Sequence, residues 1–160
     1  MNIFVLDKNP TIAAMEHCDK HVVKMIVETA QLLCGVHWVI GSKAHYRLTH
    51  KNHPCSIWVR ECIENYDWLC LLGVNLCYEY TYRYGKVHKT KEIIDWCMIN
   101  RPNLPSLGST TEFKLCMPDN YKSECVVSSY RAYYIGEKSK FAVWSKRKKP
   151  KWFSNKLTFN

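Results

Sequence analysis

Three observations predict an all-α fold for this 160-residue chain: a single compact domain of about four helices joined by long irregular connections. Apolar residues recur at helical spacing, prolines open those stretches, and glycines close them. With 47% hydrophobic residues, a chain of this length buries about two-thirds of its unfolded surface, and no second domain is needed. The domain is expected to run over residues 1–160, with a basic C-terminal tail from about residue 145.

Residues 2–6 (NIFVL) form a short extended entry. Asn9 then caps a first helix, with Pro10 in the tolerated first position and Gly35 as a left-handed stop, so the helix is expected over 10–34. Residues 35–53 make a polar, histidine-bearing connection. Pro54 opens a second helix of roughly 30 residues that carries Ile57, Trp58, Trp68, Leu72 and Leu76 and stops at Gly85. Gly73 inside it marks a bend or a close helix crossing, at a propensity cost near 1 kcal/mol. A short helix follows over Lys91–Met98, then a Pro, Gly and Ser/Thr-rich connection, and a last helix from about Ser123 to Trp144 with Gly136 weakening its centre.

The opening apolar run, Met1–Leu6, is too short for a secretory signal, and no later run approaches the roughly 18 to 20 apolar residues of a membrane span. A soluble, intracellular protein is expected, with no membrane partner. Nine cysteines, an odd number, read as reduced thiols. Cys55, Cys62, Cys70 and Cys77 recur at helical spacing and pack as small hydrophobes. No C-x-x-C pair occurs, so zinc is disfavoured and no metal site is expected; the best alternative is the pair His17 and His21, joined by His53 or His88. Phosphate-loop, dinucleotide and serine-hydrolase motifs are all missing, which leaves acid, base and amine chemistry without a cofactor.

Three clusters carry that chemistry. In HCDKHVVKMIVE, residues 17–28, His17, His21, Lys24 and Glu28 share one helical face, which is either solvated or a site. As an ordinary surface it holds a Lys24–Glu28 pair in the less favourable order; as a site it offers carboxylates (Asp19, Glu28), imidazoles and amines (Lys20, Lys24). In YTYRYGKVHK, residues 80–89, the cations Arg83, Lys86 and Lys89, with His88, either complement a helix C-terminus or contact phosphates beside stacking tyrosines. SSYRAYYIGEKSKF, residues 128–141, repeats the theme through Arg131. The formal charge of +9 is concentrated in the tail, where Lys146, Arg147, Lys148, Lys149 and Lys151 lie between Trp144 and Trp152. Such a run is a solvated terminus or a surface for phosphates and exposed bases, for an acidic protein, or for a membrane.

The opening MNIFVLD, the Asp19-Lys20-His21 run with Glu28 seven residues after the histidine, and the long tyrosine-rich helix resemble the pyrimidine-dimer DNA glycosylases of the phage endonuclease V type. Those are small, basic, mainly helical proteins, and the resemblance spans roughly the first 90 residues. It implies base excision with strand cleavage on DNA, in which an amine attacks the deoxyribose anomeric carbon to form a Schiff base and a first-helix glutamate stabilises the cationic sugar. Glu28 is the implied glutamate, and His21 contacts DNA or orients it. Lys20, Lys24, Arg83, Lys86 and Lys89 hold phosphates of a kinked duplex with an extruded nucleotide. His88, Arg131, Lys146, Arg147, Lys148, Lys149 and Trp152 complete the nucleic-acid set. The family's nucleophile is an amino terminus freed by methionine removal; Asn2 is too bulky for that here, so the amine is the Met1 α-amine or Lys24. α-Amines ionise at about 7.7–8, whereas a lysine needs strong desolvation to match them. Two further classes stay open: a transferase or N-ribosyl hydrolase acting on modified pyrimidines, and a non-catalytic binder of nucleic acid or an anionic ligand.

Overall fold

The computed structural model describes residues 1–154. The last six residues of the expected tail, 155–160, lie outside the described residues. Among them are seven α-helices and no strand: α1 (Pro10–Glu16), α2 (Asp19–Val39), α3 (Pro54–Glu61), α4 (Ile63–Tyr84), α5 (Lys91–Ile99), α6 (Val126–Tyr133) and α7 (Lys151–Ser154). The all-α class holds. The helix count rises because two expected helices are each broken in two and the short α7 forms in the tail.

The first break falls at His17 and Cys18, both extended. Helix ends leave backbone groups without partners, and here distant residues supply them. The Cys18 N–H donates to the Tyr134 hydroxyl (3.2 Å) and the Asp19 N–H to the Val143 carbonyl (2.8 Å), while Arg83 donates to the His17 carbonyl (2.8 Å). The second break is at Cys62, φ −154° and ψ 164°. The Ile63 N–H then finds the Pro105 carbonyl (2.9 Å), and the Glu64 carboxylate accepts from the Leu107 and Gly108 amides (3.0 and 2.9 Å) and the Ser106 hydroxyl.

Asn9 caps α1 as expected, its side chain accepting from Thr11 and Ile12 amides. Gly35 does not stop α2, which runs on to Val39 because Val36 and His37 are buried and Leu48 of the following loop lies 3.4 Å from where a Cβ would stand. Gly85 does end α4, in the left-handed region (φ 69°). The last expected helix is cut short: α6 covers eight residues, and a π-helical turn, Tyr134–Lys138, follows. A Cβ on Gly136 in that turn would stand 2.4 Å from the Tyr121 hydroxyl, so the close approach of that ring demands glycine.

α2 and α4 cross at the centre, with α1, α3 and α5 around them. The core is built from residues such as Leu6, Ile26, Leu33, Trp58, Tyr66, Leu69, Leu72, Leu76 and Ile94, all fully enclosed. By length and hydropathy alone α2 could cross a membrane (mean hydropathy 1.3), against the sequence expectation, but 61% of that window is buried inside the protein. It is the central core helix. All nine cysteines are separate thiols and seven are buried, as expected of small apolar fillers.

Gly73 is where α4 meets its neighbours: a Cβ there would stand 3.0 Å from Thr29 of α2 and 3.1 Å from Ile94 of α5. Gly73→Val is expected to lower stability by about 1–3 kcal/mol through overpacking, read as a reduced denaturant midpoint.

Candidate active site

Residues 1–6 run antiparallel to α2 and cover the face expected to hold the chemistry. Near the start, the Asn2 N–H donates to Glu28 Oε2 (3.0 Å), and the Met1 α-amine lies 3.9 Å from the same oxygen. Further along, the Phe4 ring lies 4.6 Å from the His21 ring. Asn2 is fixed in turn: its amide nitrogen donates to the Cys116 carbonyl (2.8 Å), and its amide oxygen accepts from the Tyr130 hydroxyl (3.1 Å). Lys24, exposed on the next turn, approaches Glu28 Oε1 at 3.4 Å. Glu28 is thus half-buried between two amines.

The imidazoles behave differently from expectation. His21 is enclosed by Phe4, Tyr134 and Phe141, with Nδ1 2.7 Å from the Tyr134 hydroxyl. Burial first, then the positive surroundings of His17, Lys138 and Lys24, push it down to about 3. His17 belongs to the α1–α2 break rather than to α2; its Nδ1 donates to the Ala13 carbonyl (2.6 Å), and burial lowers it to about 4. The shared helical face is therefore turned inward at its N-terminal end, and neither histidine presents a group to a ligand. As a metal-binding alternative the pair is unsuited on the same ground: each ring is held by an interior partner, with centroids 6.4 Å apart.

Arg83 is also corrected. Its side chain is fully buried: Nε donates to Glu79 (3.0 Å), Nη1 to Asp19 (3.0 Å) and the His17 carbonyl (2.8 Å), and Nη2 to the Met15 carbonyl (2.9 Å). Four of its five donors are used inside, and no phosphate can reach it. Arg147 closes on the other side of Glu79 (2.6 Å) and lies 4.4 Å over Tyr82. Arg131 donates to the Leu6 carbonyl (2.9 Å) and stands 3.5–3.6 Å from Glu16 and Asp7. Trp152 is half-buried against Tyr134 and beneath Arg131, a packing group rather than an open stacking platform.

The remaining cations converge from three stretches. The Tyr84 hydroxyl donates to the Asp19 carbonyl (3.3 Å), bringing the end of α4 to the start of α2. The Ser145 N–H and hydroxyl donate to the Asp19 carboxylate (2.9 and 2.5 Å), bringing the tail to the same point, and Lys146 Nζ donates to the Tyr82 carbonyl (3.2 Å). Around this junction Lys20, Lys86, Lys89, Lys148 and Lys149 are exposed, and His88 is half-buried with Nδ1 accepting from the Thr90 N–H (3.1 Å). Lys20, Lys24 and Glu28 follow one another by four residues on α2, so the cationic junction and Glu28 are about 12 Å apart along one helix.

Sequence reasoning missed Asn2, Glu79 and Tyr134, whose partners lie 26 to 128 residues away. It also missed the grouping of His53, Cys55 and Cys116, whose potential ligand atoms lie within 4.8 Å of one another. Cys116 stands 61 residues from Cys55, a spacing no short motif reports.

Two outcomes follow from these environments. Because both histidines are held neutral, with pKa values below the unfolded value of about 6.5, the unfolded chain binds more protons than the folded one from that value down through about 4 for His17 and about 3 for His21. Stability is full above pH 6.5 and falls as the pH drops toward 3, and His21→Gln should flatten that slope in thermal unfolding. Arg83→Ala leaves Asp19 and Glu79 short of a buried partner and is expected to cost about 3–5 kcal/mol, measured by denaturant unfolding, with no change in the salt dependence of ligand binding.

Comparison with known proteins gives one match: the model of the pyrimidine dimer DNA glycosylase family fits residues 1–93, from Met1 through α4 to the first residues of α5. No curated protein and no solved structure matches.

Proposed function

We propose that this chain, which belongs to the pyrimidine dimer DNA glycosylase family, excises a damaged or modified pyrimidine from duplex DNA with the Met1 α-amine as nucleophile and Glu28 as its partner. The observation that carries this reading is the 3.9 Å approach of that amine to the Glu28 carboxylate, at the edge of a lysine-bearing surface. The neutral amine attacks the anomeric carbon as the bond to the base breaks. The nitrogen then passes a proton to Glu28, the nearest carboxylate, which returns it to the ring oxygen as the C1′–O4′ bond breaks and the sugar opens to an imine. From that imine a base removes a C2′ proton, the C2′–C3′ double bond forms, and the 3′ phosphate leaves with the electrons of the C3′–O bond, which cleaves the strand. Lys24 touches Glu28 but is exposed, without the desolvation that would make a lysine a good nucleophile. Its role is to hold the carboxylate or a phosphate.

DNA lies, in this reading, across Lys20, Lys24, Lys86, Lys89, Lys148 and Lys149, whose ammonium groups release counterions from the backbone. His21 acts from inside, through the packing of Phe4 that seats residues 1–3 on Glu28. The setting is an intracellular, DNA-associated one.

Borohydride reduction during turnover of damaged or abasic duplex should trap a covalent adduct that maps to the Met1 peptide and persists in Lys24→Ala. An adduct on Lys24, or none, removes the α-amine from the mechanism. Glu28→Gln should slow excision by about 10²–10³-fold while duplex affinity is kept. Lys20→Ala and Lys89→Ala should each lower the slope of log affinity against log salt by about 0.9.

A further inference from the structure

His53, Cys55 and Cys116 come from two distant parts of the chain: His53 is the N-cap of α3, Cys55 lies in its first turn, and Cys116 belongs to the irregular connection before α6. The two sulfurs are 3.6 Å apart, and all three candidate ligand atoms fall within 4.8 Å of one another. Zinc bound to sulfur at about 2.3 Å in tetrahedral geometry places two sulfurs about 3.8 Å apart, so the thiol pair already has the spacing of one tetrahedral edge. Cys55 is buried, while His53 and Cys116 are half-exposed, so the group is anchored on one side and open to solvent on the other. The backbone around it is fixed independently: the Cys116 N–H donates to the Tyr130 hydroxyl (3.3 Å), and the Cys116 carbonyl accepts from Asn2 (2.8 Å).

We propose that His53, Cys55 and Cys116 form a three-ligand site for a thiophilic divalent cation of the zinc type, with a fourth position open to water. Two thiolates and an imidazole are the donors zinc favours over magnesium or calcium, which take oxygen. On binding, the two thiol protons pass to solvent. His53 Nδ1 now accepts from the Cys55 N–H at 3.1 Å; if Nδ1 becomes the ligand, that cap bond is exchanged for the metal bond, and Nε2 keeps its proton toward solvent. The site adjoins the Met1–Glu28 pair without using either group as a ligand, and Asn2 touches both: its N–H meets Glu28 and its amide oxygen lies 3.8 Å from the Cys55 sulfur.

The test is titration of the full, reduced, metal-free chain with Co²⁺. One equivalent should produce the visible bands of tetrahedral cobalt and a near-ultraviolet thiolate-to-metal band, both erased by one equivalent of Zn²⁺. Cys116→Ser and His53→Gln, on the open side of the site, should each weaken binding at least as much as the roughly 10–100-fold typical of losing an outer-shell partner. Glu28→Gln and Cys125→Ser should leave the spectrum unchanged, which separates this site from the catalytic proposal. Absence of the thiolate band, six-coordinate cobalt spectra, or binding that survives Cys116→Ser with native circular dichroism would overturn the assignment.

Discussion

The Arg83 guanidinium holds together the parts of this molecule that do not adjoin in sequence. Burying a cation costs several kcal/mol unless its donors are used and its charge is met. Here the Asp19 and Glu79 carboxylates meet it, and the carbonyls of Met15 and His17 take further hydrogen bonds. Those partners are the end of α1, the start of α2 and the last turns of α4. Each carboxylate then reaches one step further along the tail, Asp19 to Ser145 and Glu79 to Arg147. The charge that looked suited to a phosphate is the one that brings the exposed lysines of three segments to a common edge.

The opposite end of α2 is organised by a neutral side chain. Asn2 joins the amino terminus to Glu28 through its backbone, and to the 116 loop and α6 through its amide. A charged amine beside a carboxylate would otherwise be a loose surface pair worth little. Asn2, and Phe4 packed on His21, fix its position; under the proposed mechanism that preorganisation is the condition under which proximity lowers a barrier. The two histidines are packing groups in the interior, and burial lowers their basicity.

Much of the fold was legible. Pro10 and Pro54 start helices, Gly85 ends one in the left-handed region, and the Lys91 helix spans nearly its expected residues. In the site, the Lys24 and Glu28 pairing at i, i+4 was readable, since helical spacing alone brings such groups together. The positions misjudged share one cause. His17–Cys18 and Cys62 carry no helix-breaking residue, and their helices break because Tyr134, Val143, Arg83 and Pro105 supply partners for the freed backbone groups. Gly35, conversely, carries a stop signal that is overridden because the next turn is buried.

The sequence by itself determined the helical class, the helix starts, the excess of cations and the short list of groups able to do acid, base or amine chemistry, because periodicity, capping and charge are local properties. Tertiary structure alone decided which cations are free and which are spent, that His21 faces inward, that the amino terminus meets Glu28, and that Cys116 stands beside Cys55 and His53. Each of these depends on what a side chain meets across the fold, and burial and pairing are set by neighbours tens of residues away.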